Sequence, residues 1–143
     1  MSKKQSPGDW AEAKVQTWLE AESARVSSFA FHRYPDARAA RGALAAQPAD
    51  YLVSNGTICH LEVKETEQIN RLPKKKIRQY GMLLKWKWAG ITPFVVIYRS
   101  QSNDWVYLSS EQLFEFEECP PSFDLSKRPT YTTCGDIMNW LFA

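Results

Sequence analysis

The chain has 143 residues, of which 44% are hydrophobic and 24% charged, with a formal net charge of +2. That composition excludes an intrinsically disordered protein and predicts a single domain, 1–143, with a core of its own. No stretch approaches the ~18 apolar residues of a membrane span. The start, MSKKQSPGDW, is positive but lacks an apolar segment, so neither a membrane protein nor a secretory leader is expected. Cys59, Cys119 and Cys134 are odd in number and far apart, without zinc-ligand spacing, which suits free thiols in a reducing, cytoplasmic setting.

In chain order, SPGDWAEAKVQTWLEAESARV predicts the first helix. Ser6 caps it, Pro7 takes its first position, Asp9 sits at the positive end of the helix dipole, and Val15, Trp18, Leu19 and Glu22 share a stripe. SSFAFHRY predicts a short strand. PDARAARGALAAQP is a loop or weak helix rich in arginine and small residues. ADYLVSNGTICHLEVKE predicts two strands around Asn55-Gly56, a hairpin signal. LPKKKIRQYGMLLKWKWAG predicts a helix started by Pro73 and ended by Gly90, with Ile77, Tyr80, Leu84 and Trp88 buried and Trp86 left as an exposed stacker or subunit contact. TPFVVIYRS is nearly all apolar, as in a central strand covered on both faces, and DWVYLSS adds another strand. SSEQLFEF opens a short helix with a Ser109–Gln112 capping box, and GDIMNWLF is a last helix. The fold class is α/β (α+β): a mixed central sheet flanked by helices.

Charge is segregated. Between Gln68 and Asn103 there is no acid, yet Arg71, Lys74, Lys75, Lys76, Arg78, Lys85, Lys87 and Arg99 fall there. One positive face follows, as a polyanion such as DNA requires.

The chemistry converges on HLEVKET. Glu62 and Lys64 are two apart on a strand and share a face, and Asp50 opens the partner strand. Two carboxylates held close repel unless they share a hard cation such as Mg²⁺. Such a cation lowers the pKa of bound water and neutralises phosphoryl charge, and a neighbouring lysine stabilises charge that develops in the transition state. Asp, Glu and Lys on adjacent strands therefore form a minimal phosphodiester-cleaving set. The alternative reading is an ion pair facing water. Register tests the site. A two-residue Asn55-Gly56 turn would pair Asp50 with Leu61 and put it on the wrong face, so a three-residue loop, Asn55-Gly56-Thr57, or a bulge is required.

PADYLVSNGTICHLEVKET resembles the core of the PD-(D/E)XK nuclease superfamily. EVKET followed by RLPKKKIRQYGML resembles, more narrowly, RecU-type and phage Holliday-junction resolvases. The resemblance covers roughly residues 8–108 and implies a restriction-endonuclease-like core. It implies Asp50, Glu62 and the main-chain carbonyl of Val63 as metal ligands, with Glu12 of a Gly8-x-x-x-Glu12 setting added; from the residues alone, Glu20 or Glu22 of the same helix could stand in for Glu12. It implies Lys64 as the catalytic lysine, Gln79 as a group that positions water or phosphate, and Mg²⁺ (replaceable by Mn²⁺) as cofactor. Arg33, Arg38 and Arg41 would form a clamp on the DNA backbone, alongside Lys74, Lys75, Lys76 and Arg78. His60 would be a polar neighbour of the site. The expected function is a Mg²⁺-dependent, structure-specific DNA endonuclease, a Holliday-junction resolvase that cuts phosphodiester bonds with metal-activated water, acting on branched or duplex DNA as a homodimer and away from membranes. The alternatives are another nuclease of this superfamily, whether restriction-like, repair or exonuclease, and a non-catalytic DNA-binding module on the same fold. Pro48, where the RecU type has Thr, and the arginine-rich segment depart from the junction-specific pattern.

Overall fold

The computed structural model describes residues 5–36 and 46–142. Arg38 and Arg41, expected in the DNA clamp, lie outside the described residues. The first helix, α1 (Pro7–Arg25), starts as the sequence requires: the Ser6 hydroxyl accepts the Asp9 N–H at 3.1 Å, and Pro7 fills the first turn, where no N–H is needed. A five-stranded sheet follows, in spatial order β1 (Ala30–Arg33), β2 (Tyr51–Ser54), β3 (Ile58–Thr66), β5 (Thr92–Arg99) and β6 (Asp104–Leu108). β3 runs antiparallel to β2 and parallel to β5, so the sheet is mixed. A parallel pair needs a crossover. That crossover contains the short strand β4 (Arg71–Pro73), a 3₁₀ turn (Lys74–Lys76) and α2 (Tyr80–Trp88).

Two apolar clusters cover the two faces of the sheet. Leu61, Val63, Val53 and Val96 meet Ala11, Val15 and Leu19 of α1 and Ile137, Met138 and Phe142 of α4 (Cys134–Phe142). Val95, Ile97, Val106 and Leu108 meet Leu83 of α2 and Leu113 of α3 (Ser110–Leu113). Alternation along β3 therefore sends Leu61 and Val63 to the α1 side, and Glu62 and Lys64 to the α2 side, beside their partners Val95 and Ile97. The capping box of α3 is present, with Ser109 and Gln112 each bonded to the other's main-chain N–H. Among the described residues no helix is long and apolar enough to cross a membrane.

Two expectations are corrected here. The helix expected from Pro73 starts at Tyr80. Pro73 instead ends β4, which pairs with β7 (Ser122–Asp124) in a two-stranded sheet that the sequence did not predict. Its missing N–H costs nothing at that edge, and the next donor, Lys74 N–H, reaches Pro121 O at 3.0 Å. The buried stripe changes with the later start. Leu83 is fully buried, Leu84 only half, and Trp88, expected in the core, is 76% exposed. A helix of nine residues presents a narrow face to the sheet, and Leu83 takes it. Trp86 is 42% exposed, as the sequence suggested.

The hairpin between β2 and β3 has the three-residue connection that the site requires. Ser54 pairs with Ile58 and Tyr51 with Leu61, and Asn55, Gly56 and Thr57 lie between. Gly56 has φ +105°, a region that L side chains rarely adopt. A Cβ at Gly56 would meet nothing within 4 Å, so only backbone strain opposes substitution. Gly56→Ala is expected to destabilise the fold by about 1–2 kcal/mol, measured by urea unfolding. A loss near zero would show that the turn relaxes without strain.

Candidate active site

One more step of the hairpin register, past Tyr51 and Leu61, sets Asp50 opposite Glu62, the arrangement that a shared site needs. Asp50 is pinned there, because its Oδ2 accepts the Val63 main-chain N–H at 2.8 Å. Val63 lies just beyond the end of β2, so Asp50's side chain takes the place of the missing strand. A strand residue turns its N–H and C=O to the same neighbour, so the Val63 carbonyl faces this edge too.

Glu62 is 0% exposed. Lys64 Nζ lies 3.0 Å from Glu62 Oε1, yet neither Glu62 oxygen receives a hydrogen bond of acceptable direction among the described residues. The water-facing ion pair is thereby excluded. Burial first, then the charge of Asp50, raises the Glu62 pKa well above its ordinary value, with Lys64 pulling the other way.

Above this pair opens a cleft of about 660 Å³, lined in part by Glu12, Asp50, Val63, Lys64 and Gln79. Glu62 itself does not reach the cleft surface. Gln79 is at the N-terminal end of α2, and its side-chain oxygen is buried without a hydrogen-bond partner among the described residues. Glu12 is ion-paired with Arg33 at 2.7 Å. Its pKa is raised by burial and by Asp50, and lowered by Arg33. Asp50 and Glu62 are thus two close carboxylates, with Glu12 facing them from the α1 wall. Among the described residues no three His, Cys, Asp or Glu side chains converge as a metal cluster. Glu22, a substitute for Glu12, is paired with Arg25 instead.

In structure the chain is similar to Hjc, a Holliday junction resolvase from the archaeal hyperthermophile Archaeoglobus fulgidus. The two share 17% identity with a TM-score of 0.51, over 81% of this chain and 88% of that one. The fold is that of the resolvases. It is the restriction-endonuclease-like core that the hairpin and Glu-x-Lys pattern implied. By sequence, no family model matches the chain and no curated protein does.

On this resolvase fold, the basic span divides into paired and unpaired cations. Arg99 is buried, bonded through Nε and Nη2 to Asp104 at 2.7 and 2.5 Å and through Nη1 to Ile69 O at 2.8 Å, so it holds the sheet together. Arg71 is bonded to Gln68. Lys76 Nζ is 3.9 Å from Glu65 Oε2 at the cleft edge. Lys75 and Arg78 line the cleft and have no ion pair among the described residues. Lys74 turns to a neighbouring groove with Cys119 and Pro121.

Sequence reasoning missed Tyr34. It lines the cleft, its N–H donates to Asp50 O at 2.9 Å, and its hydroxyl is 2.9 Å from His60 Nε2. A tyrosine ending a short strand carries no signal of its own. Only the pairing of β1 with β2, Arg33 opposite Tyr51, brings it to Asp50.

The buried carboxyl makes a prediction about stability. Because Glu62's pKa is raised on folding, its favourable contribution is present below the unfolded value and is lost as pH rises through the folded one. With a chelator present, Glu62→Gln is expected to be more stable than wild type at pH 8 by about 1–2 kcal/mol, with little difference at pH 4. Urea unfolding at the two pH values measures this, and a pH-independent difference would contradict it.

Proposed function

We propose that this protein is a Mg²⁺-dependent endonuclease of the PD-(D/E)XK type that cuts branched DNA. One observation carries the reading: a fully buried Glu62 carboxylate with no hydrogen bond to either oxygen, beside Asp50 and Lys64, beneath a cleft edged by Lys75, Lys76 and Arg78. A buried carboxylate met only by the Lys64 ammonium is costly, and a hard cation held jointly with Asp50 would offset that cost. Asp50, Glu62 and the Val63 carbonyl would hold Mg²⁺ or Mn²⁺, with Glu12 as a further carboxylate toward it. Bound there, the ion supplies Lewis-acid stabilisation of phosphoryl charge and an acidified water.

The chain's own residues do the rest. Lys64 holds its ammonium over Glu62, where it stabilises negative charge developing on the attacked phosphate. Gln79 offers its unpartnered side-chain oxygen to a water, and its NH₂ group is the part that could donate to phosphate. Lys75, Lys76 and Arg78 hold the backbone, and Arg33, tied to Glu12, couples that wall to the DNA. The product would carry a 5′-phosphate. The likeness of fold to a Holliday junction resolvase and the EVKET pattern both favour a branched substrate. Resolution takes two symmetric cuts, so the active form is a homodimer of single-domain subunits acting in the cytoplasm.

Lys64→Ala and Asp50→Asn are each expected to lower Mg²⁺-dependent nicking of a four-way junction at least about a hundredfold while leaving junction binding intact. Equal cutting of junction and linear duplex would leave a nuclease but remove the resolvase. Binding without any cutting by wild type would leave a DNA-binding module. Neutralising Lys75 or Arg78 should weaken binding across sequences and make its salt slope shallower by about 1 for each cation removed.

A further inference from the structure

Tyr34 is tied to the site at both ends. Its main-chain N–H donates to Asp50 O at 2.9 Å, and its hydroxyl lies 2.9 Å from His60 Nε2 across the sheet. The ring is half-buried and belongs to the cleft wall, with Asp50 and Lys64. His60, two residues before Glu62 and on the same face, is 0% exposed. It is wedged between Tyr34 and Trp86, with ring centroids 5.6 and 5.8 Å away. Its Nδ1 is buried and has no hydrogen-bond partner among the described residues.

That isolation decides which group donates. With its proton on Nδ1, the imidazole would bury an N–H that nothing accepts, and Tyr34 would donate to Nε2. With its proton on Nε2, the imidazole donates to the Tyr34 oxygen and leaves only a lone pair unused. Buried N–H groups without an acceptor are rarer than under-used acceptors. In the Nε2-protonated state the Tyr34 oxygen accepts from His60, and the phenolic hydrogen is left to point elsewhere. Among the described residues no other group takes it.

We propose that Tyr34 donates this hydrogen to a non-bridging oxygen of a DNA phosphate in the cleft, with His60 as the positioning residue that orients the hydroxyl. The proposal rests on the nuclease reading above. It adds a neutral donor beside the acids Glu12 and Asp50, in a cleft whose other donors, Arg33, Lys64 and the basic residues of its rim, are charged.

Tyr34→Phe removes the donor and keeps the ring. It is expected to lower kcat/KM for Mg²⁺-dependent nicking of a four-way junction about ten- to a hundredfold, and, because it leaves the buried His60 Nε2–H without an acceptor, to lower the urea midpoint without abolishing folding. A methylphosphonate moved one by one through the phosphates flanking the cut removes the acceptor. At one position wild type should fall by the same factor and Tyr34→Phe should fall no further. Full additivity at every position would overturn the proposal and leave the nuclease reading standing. His60→Gln, whose amide N–H can still donate to Tyr34, should retain most activity, and a loss as large as that of Tyr34→Phe would count against the orienting role. If wild type binds junctions without cutting, the nuclease reading falls, and the same scan is read in binding affinity. Nitrogen-15 NMR of His60 in the free protein tests the orientation independently of activity. A protonated Nε2 is expected, and a neutral ring protonated at Nδ1 would overturn the proposal whether or not DNA is cut.

Discussion

A carboxylate placed at the centre of a sheet, out of reach of water and without a hydrogen bond to either oxygen, opposes folding by several kcal/mol. Glu62 is such a group, and the features around it make its position tolerable. Lys64 lies against one oxygen. Burial and Asp50 together raise its pKa well above the ordinary value, which lessens the cost of its charge as pH falls. The surrounding apolar packing supplies the stability: α1 and α4 close one face of the sheet over Leu61 and Val63, and α2 and α3 close the other over Val95 and Ile97.

The register of the β2–β3 hairpin is the second constraint, and it serves the first. Three residues in the turn, with Gly56 at positive φ, bring Asp50 to the same face as Glu62. A turn one residue shorter would place Asp50 among the apolar side chains under α1 and leave Glu62 with a single partner. The Asp50 carboxylate then accepts the Val63 N–H that β2 is too short to meet. One side chain thus caps a strand end and lines the cleft. Tyr34 continues this logic, since it binds the main chain at Asp50 and reaches His60 beside Glu62.

The basic span shows why net charge in a sequence segment is a poor map of a surface. Eight cations without an acid read as one positive face. In the fold, Arg99 turns inward to a bidentate partner, Arg71 is held by Gln68, and Lys76 meets Glu65. Lys75 and Arg78 are left at the cleft, where a polyanion would enter. The acid that neutralises Arg99 is Asp104, just past the end of the acid-free span, reached because β5 and β6 pair antiparallel.

Local chemistry was enough to read α1 with its Ser6 cap, the capping box of α3, the strands β2, β3 and β5, and the grouping of Asp50, Glu62 and Lys64. Caps, turns and alternation act over a few residues, and the parity of the hairpin follows from counting. The β4–β7 pair was not legible, because strands of three residues separated by about fifty carry no periodic signal. That pair displaced the start of α2 and so turned Trp88 outward and Leu83 inward. The engagement of Glu12 with Arg33, the burial of Arg99 and the link from Tyr34 to His60 all depend on how separate segments pack together. The sequence by itself determined which residue types could hold a metal and in what parity they had to meet. Tertiary structure alone decided that Glu62 is sealed from water and which cations remain unpaired, because burial and pairing belong to the packed sheet and not to any segment of it.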